Sequence, residues 1–184
     1  DIATAVERLL PSGAVSARRR RTLLAAEPSL SGFIVLAGVR GIHPELAHHT
    51  ILFSPDYAAE FADLSGRRTA PRDPTVYLAL TCRSDPDDAP AGHENWFVLV
   101  NAPPIGPEED WGTRGRVDAY RELVLERIRS FGIAFDPADL VVERTMTPAD
   151  LASWTGAHRG ALYGPSSSRA MNAFERPRPR DPDI

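Results

Sequence analysis

The sequence predicts an α+β domain: a single, largely antiparallel sheet of about five strands flanked by helices. Three observations lead there. Five runs are rich in β-branched and aromatic residues, one long segment repeats its apolar positions at helical spacing, and strands and helices mix without the regular alternation that a parallel sheet needs. At 184 residues the chain is long enough for one hydrophobic core and short for two ordinary domains.

The five strand-like runs are Leu30 to Val39, His49 to Ser54, Thr75 to Cys82, Asn95 to Ala102 and Asp139 to Met146. Ser54-Pro55 opens a short helix over Asp56 to Leu64, with Tyr57 and Phe61 on its apolar side. The clearest helix is Arg116 to Phe131, where Val117, Tyr120, Val124, Ile128 and Phe131 share a face and Gly132 follows as a stop; it should cover one side of the sheet. Thr147, Pro148 and Asp150 form a near capping box with proline at the first helical position, which predicts a helix from Pro148 to about Trp154. The Pro-, Gly- and Asp-rich intervals Gly66 to Pro74, Asp85 to Gly92 and Ala102 to Thr113 read as loops.

Composition narrows the partners. The formal net charge is −4, and all 21 basic residues are arginine, which points to a GC-rich source rather than to a chemistry. That balance gives no general attraction for nucleic acid or an anionic membrane. The run Arg18 to Arg21 reads first as the solvated face of a helix, since no aromatic residues are interleaved to stack bases. Its alternative is contact with anionic lipid headgroups, at about 1 kcal/mol per arginine near the surface. Cys82 is the lone cysteine, so no intrachain disulfide can form; it reads as a small buried hydrophobe in a strand. No apolar stretch approaches the roughly 20 residues of a membrane span.

Several short strings carry polar groups. Adjacent His48 and His49 should point to opposite faces of a strand, which works against joint ligation of one ion; one ring is expected toward a cavity and one packed behind. In Gly92-His93-Glu94-Asn95-Trp96 an acid beside an imidazole can serve proton transfer, while the plainer reading is a loop turning into a strand with Asn95 bonded to backbone. Gly38-Val39-Arg40-Gly41 ends a strand, where the glycines permit a tight turn and Arg40 can reach a carboxylate or a polar substrate end. Tyr163-Gly164-Pro165-Ser166 can bring backbone and a phenol toward a ligand, and its serines lack the His and Asp of a recognised nucleophile pattern. Trp96, Trp111 and Trp154 are of the type that fills cores or interfaces.

Five collinear strings, Ser31 to Gly41 (SGFIVLAGVRG), Ala47 to Ser54 (AHHTILFS), Gly92 to Gly106 (GHENWFVLVNAPPIG), Tyr120 to Ile128 (YRELVLERI) and Ala161 to Ser168 (ALYGPSSS), resemble the middle of the bacterial phytoene desaturases, the FAD-dependent carotenoid desaturases and their oxidase relatives. The resemblance covers nearly the whole chain. It implies an FAD enzyme that removes hydrogens from a long isoprenoid to extend a conjugated polyene, cytoplasmic and peripheral to the membrane, with no nucleic-acid partner. No G-x-G-x-x-G occurs here to seat a dinucleotide, so the resemblance assigns residues 1–184 to the inserted substrate domain of an amine-oxidase-like fold, lifted from between two halves of a FAD domain. Asp1 then ends an Asn-Ala-Asp-type motif before the helix IATAVERLLP, Arg176 to Ile184 stops where a second flavin segment resumes, and no FAD is expected on this chain alone. Motif membership makes Arg40, His48, His49, Trp96 and Tyr163 the candidates for lining a cavity for an isoprenoid or carotenoid. A late-step carotenoid desaturase or terminal-methyl oxidase is a second reading, and a free-standing lipid- or protein-binding module a third.

Overall fold

A computed structural model describes residues 1–166 of the 184. The segments Ser167 to Ser168 and Arg176 to Ile184, singled out above, lie outside the described residues. The five strands are β1 (Ser31–Arg40), β2 (His49–Leu52), β3 (Val76–Ala79), β4 (His93–Ala102) and β5 (Leu140–Met146). They form one sheet in the order β2-β3-β4-β1-β5, every neighbour antiparallel. The helices are α1 (Ile2–Thr4, continued by a wider π turn over Ala5–Leu9), α2 (Ala17–Leu24), α3 (Tyr57–Phe61, continued likewise over Ala62–Arg67), α4 (Arg116–Ser130) and α5 (Pro148–Thr155). The α+β class and the single antiparallel sheet are therefore as the sequence predicts.

Strand alternation divides the sheet into two unlike faces. Phe33, Val35, Leu78, Val98 and Val100 point one way and are sealed by Tyr120, Val124, Leu125 and Ile128 of α4. Tyr120 meets Phe33 edge-on at 5.0 Å between centroids, and its hydroxyl donates to the Pro71 carbonyl at 3.1 Å. Burying side chains of this size stabilises by about 1.5–3 kcal/mol each, so this layer dominates the core. The opposite face carries a cover at one end only, where Leu151 of α5 packs on Ile34 and Met146 with Phe97 and Leu99 beside them. The α5 cap forms as expected: Thr147 and Asp150 bond each other's backbone amides.

The elements depart from expectation at identifiable places. Phe131, placed on the apolar stripe of α4, is 46% exposed, because the helix ends at Ser130 and the backbone has left the helical path; Arg127 covers its ring at 4.7 Å and Leu125 is the buried residue instead. Tyr57 and Phe61, placed on the apolar side of α3, face outward with their rings 4.8 Å apart. The inward positions are Glu60, Asp63 and Leu64. Burying two acids is tolerable because both are paired: Glu60 accepts from the Thr75 amide at 2.9 Å and its hydroxyl at 2.7 Å, and Asp63 accepts from Arg67 and Arg72. The third strand stops at Ala79, so Cys82 lies on a 3-10 turn (Thr81–Arg83), half-buried against the core rather than within a strand. The fourth starts at His93, two residues ahead of its predicted start, directly after Gly92 at φ 74°.

Gly160 and Gly164 both adopt left-handed backbone, at φ 70° and 69°. A Cβ at Gly160 would sit 2.2 Å from the Pro148 carbonyl oxygen, whereas one at Gly164 would meet nothing nearer than the Asp1 Cβ at 3.7 Å. Gly160→Ala is therefore expected to destabilise well beyond the roughly 1 kcal/mol of a left-handed alanine, and Gly164→Ala by about that amount alone. Urea unfolding of the two variants side by side checks this; equal losses would show that the close approach at Gly160 carries no energy.

Candidate functional site

Because β4 alternates, consecutive residues of the Gly92–Trp96 string serve different faces. Glu94 and Trp96 turn toward the α4 side; His93, Asn95 and Phe97 turn toward the open side.

On the sealed side Glu94 is 1% exposed and accepts four hydrogen bonds. Oε1 takes the His43 amide at 2.9 Å and Arg83 Nη2 at 2.5 Å; Oε2 takes His43 Nδ1 at 2.7 Å and the Trp96 indole N–H at 2.9 Å. A carboxylate only accepts, so His43 carries a proton on Nδ1. Arg83 also donates to the carbonyls of His43 at 2.6 Å and Leu46 at 3.1 Å. Burial by itself raises the Glu94 pKa, but the hydrogen bonds from the His43 amide, the Trp96 indole and the His43 ring, with the Arg83 charge, together hold the carboxyl below its ordinary value. This clasp ties the β1–β2 connection and the β3–β4 turn to the start of β4. It is the main feature that sequence reasoning missed. The sequence places His93 beside this acid, whereas the imidazole that bonds it comes from 51 residues back. The one available signal was parity: Glu94 shares a face with Trp96 and Val98, where a lone carboxylate needs partners.

On the open side the sheet forms a concavity of about 510 Å³. Its floor is apolar, with Leu36, Ala79 and Phe97 side by side in register and Val142, 65% exposed, across from Gly38. Asn95, Thr81, His93 and Arg144 bring polar groups to its margins. Asn95 bonds backbone as expected, its Oδ1 accepting from the Cys82 amide at 3.0 Å. Toward the β2 edge the apolar face continues through Ile51, 52% exposed.

The five residues selected from motifs do not converge. His48 and His49 lie together, not on opposite faces, with ring centroids 4.3 Å apart, because His48 precedes the first residue of β2. His48 Nδ1 contacts Ser84 Oγ at 2.6 Å, and His49 Nδ1 contacts the Tyr77 hydroxyl at 2.8 Å. Arg40 is exposed at the end of β1 with Asp139 3.9 Å away, so it does reach a carboxylate. Trp96 is 2% exposed and packs edge-on against His43 and Phe135 at 5.0 and 5.1 Å, beneath the floor of the concavity. Tyr163 stands 70% exposed on a turn whose amide donates to Ser29 Oγ at 3.0 Å. Of the other tryptophans, Trp111 stacks on Phe33 in the core and Trp154 is exposed. Among the described residues no group of three or more His, Cys, Asp or Glu is placed to hold a metal ion, and no helix is long and apolar enough to cross a membrane.

No family model matches the chain. It is similar to curated bacterial proteins: 36% identical over 156 residues to a 1-hydroxycarotenoid 3,4-desaturase from Flavobacterium sp., 34% over 146 residues to a 4,4'-diaponeurosporene oxygenase from Staphylococcus haemolyticus, and 32% over 167 residues to a lycopene-forming phytoene desaturase from Paracoccus sp.. The matches cover 83%, 79% and 90% of this chain and 31%, 29% and 33% of those relatives, so the chain spans about a third of their length.

Glu94→Gln leaves the shape of the clasp and removes its charge. At pH 7 it is expected to cost about 3 kcal/mol, as when one member of a buried ion pair is removed. The folded carboxyl titrates below the usual glutamate value of 4.5, so the charge contributes fully above that pH and is lost as pH falls through the lowered folded value. Denaturant titrations of both proteins from pH 7 downward should show the gap narrowing in acid; a constant gap would mean that the charge is not what stabilises.

Proposed function

This chain belongs to the family of the carotenoid desaturases and oxygenases, and from that premise we propose that it is the substrate-binding part of a phytoene-type, FAD-dependent desaturase. In this reading it is inserted between two halves of a flavin domain and works at the cytoplasmic surface of the membrane, where long isoprenoids dissolve. One observation carries the reading: a sheet sealed by α4 on one face leaves an apolar concavity of about 510 Å³ on the other. An extended hydrocarbon is the ligand that such a surface suits, and large uncovered apolar patches mark binding surfaces.

The one place where a strand runs straight into a helix does not suit the dinucleotide. A pyrophosphate seeks free amides at the start of a helix that follows a strand, and β5 does run directly into α5. There Thr147 and Asp150 already occupy the cap, and Asp150 adds negative charge. We assign flavin binding to the flanking halves and derive no step through it here. The task left to this chain is to orient an apolar substrate and exclude water from it. His49, with its register partner Ala79 on the open face, and adjoining His48 are the motif residues best placed to join that wall; Arg40 would act from its margin and Trp96 from beneath, while Tyr163 sits beside Ser29, ahead of β1 and away from Leu36 to Gly38. Similarity to an oxygenase at 34% identity supports a second reading, oxidation of a terminal methyl on the same scaffold.

The test uses the natural reading frame in a bacterial host that accumulates phytoene, with pigments read by chromatography. Leu36→Asn on the open floor is expected to lower conversion about tenfold, the order set by loss of an apolar contact in a pocket. Phe131→Asn, exposed beyond the end of α4, should leave it unchanged. Equal behaviour of the two variants would remove the open face from substrate binding. A frame without G-x-G-x-x-G upstream of Asp1 would remove the flavin enzyme.

A further inference from the structure

The arginine run of α2 takes no part in the sheet or its open face. Ser16 caps the helix, its hydroxyl accepting from the Arg19 amide at 3.2 Å, and Leu23 is the residue that α2 buries. By the helical repeat Arg18 and Arg21 stand on the side away from Leu23, and both are exposed. Their guanidinium groups form no ion pair or hydrogen bond among the described residues. Elsewhere Arg67, Arg68, Arg83, Arg116 and Arg121 are each held by a carboxylate. Residues 1–26 hold five arginines against two carboxylates in a chain of net charge −4, and Glu27, which follows, is already paired with Arg68.

Apolar surface lies beside this charge. The π turn after α1 rests against α2, where Arg20 Nη1 donates to the Val6 carbonyl at 2.5 Å. That turn ends on Leu9, 76% exposed, and Leu10, Pro11 and Val15 line a recess of about 390 Å³ between the two elements, with Glu7 also on its wall. A merely solvated face gains nothing from an uncovered leucine. A nucleic-acid surface would present rings for stacking, and residues 1–26 contain no aromatic side chain. Unpaired cations next to an uncovered apolar side chain suit a bilayer, which offers anionic headgroups above hydrocarbon.

We infer that the α2 face with the Leu9 turn is a docking surface for anionic phospholipid, Arg18 and Arg21 meeting headgroup phosphates while Leu9 enters the acyl boundary. This rests on the proposed place of the chain at a membrane surface, and it adds which surface faces the bilayer and which lipid charge it selects.

The complete flavin-loaded protein is sedimented with vesicles of phosphatidylcholine alone or mixed with phosphatidylglycerol. The anionic vesicles are expected to bind it more tightly, and Arg18→Gln/Arg21→Gln should weaken that binding about thirtyfold, at ~1 kcal/mol per arginine. Arg18→Gln alone, expected at about fivefold, reads the same effect should the double variant fold poorly. Raising the salt toward about 1 M should erase the difference, whereas Leu9→Ser should lower binding to both vesicle types about tenfold. Conversion of detergent-dispersed phytoene, which needs no bilayer, reads the substrate-wall proposal separately and should be equal in the parent and the double variant. Equal binding of parent and arginine variants to anionic vesicles, or no gain from phosphatidylglycerol, would overturn the inference and leave the substrate-wall reading standing. So would arginine variants that lose binding to RNA or to another protein but keep it to vesicles, or that lose conversion in detergent. A parent that binds neither vesicle type would overturn both the inference and the membrane placement beneath it.

Discussion

β1 and β4 pair over their whole length, from Ser31 opposite Ala102 to Arg40 opposite His93, and everything else in the domain inherits that register. Side chains alternate with a period of two, so a slip of one residue would send Glu94 and Trp96 to the open side and His93 and Phe97 into the core. The register is held because both errors are costly. The paired Glu94 carboxylate would leave its donors unanswered, an unpaired imidazole would take its place in the interior, and a tryptophan would lose its packing.

The clasp around Glu94 is best understood as the polar lock on this register. Buried ion pairs add little net stability when compared with well-packed apolar residues, since desolvation offsets the attraction. Their value lies in being intolerant of alternatives. Glu94 finds four donors in one arrangement only, and three of them, the His43 amide, the His43 ring and Arg83, come from segments that would otherwise be loose connections. The lock thereby fixes the loop leading into His48 and His49 and the turn that carries Thr81, the latter lining the open face.

Sealing one face and leaving the other open is what makes the domain suitable as a wall. α4 supplies the stability, through Tyr120, Val124, Leu125 and Ile128, and frees the opposite face from any structural duty except under α5. Leu36, Phe97 and Val142 can then be chosen for a ligand rather than for the core. The bulge between Gly38 and Val39 belongs to the same economy: a Cβ at Gly38 would stand 2.7 Å from Val142 Cγ1, so glycine there lets the edge strand close over the floor of the concavity.

How much of this was written locally in the chain follows from the range of each interaction. The five strands, α4 and α5 were legible because β-branched runs, a helical apolar stripe and a capping box act over a few residues. Family membership was legible because five strings lie in one order. Three things were not. Glu60 and Asp63 point inward on α3, against its apolar pattern, because Thr75 and Arg72 reach them from the segment leading into β3, beside the Arg67 that Asp63 meets within its own helical segment. Glu94 finds His43 across a separation of 51 residues, beyond any local pattern. The choice of which sheet face to cover was also hidden, since β1 is buried at Ser31 through Val35 on both its faces and so reads apolar either way. The sequence by itself determined which segments become strands and helices, since short-range sterics and periodicity decide that. Only the tertiary structure decided that α4 covers the Phe33–Val98 side and leaves Leu36, Phe97 and Val142 open, because that choice depends on long-range packing, which local periodicity does not encode.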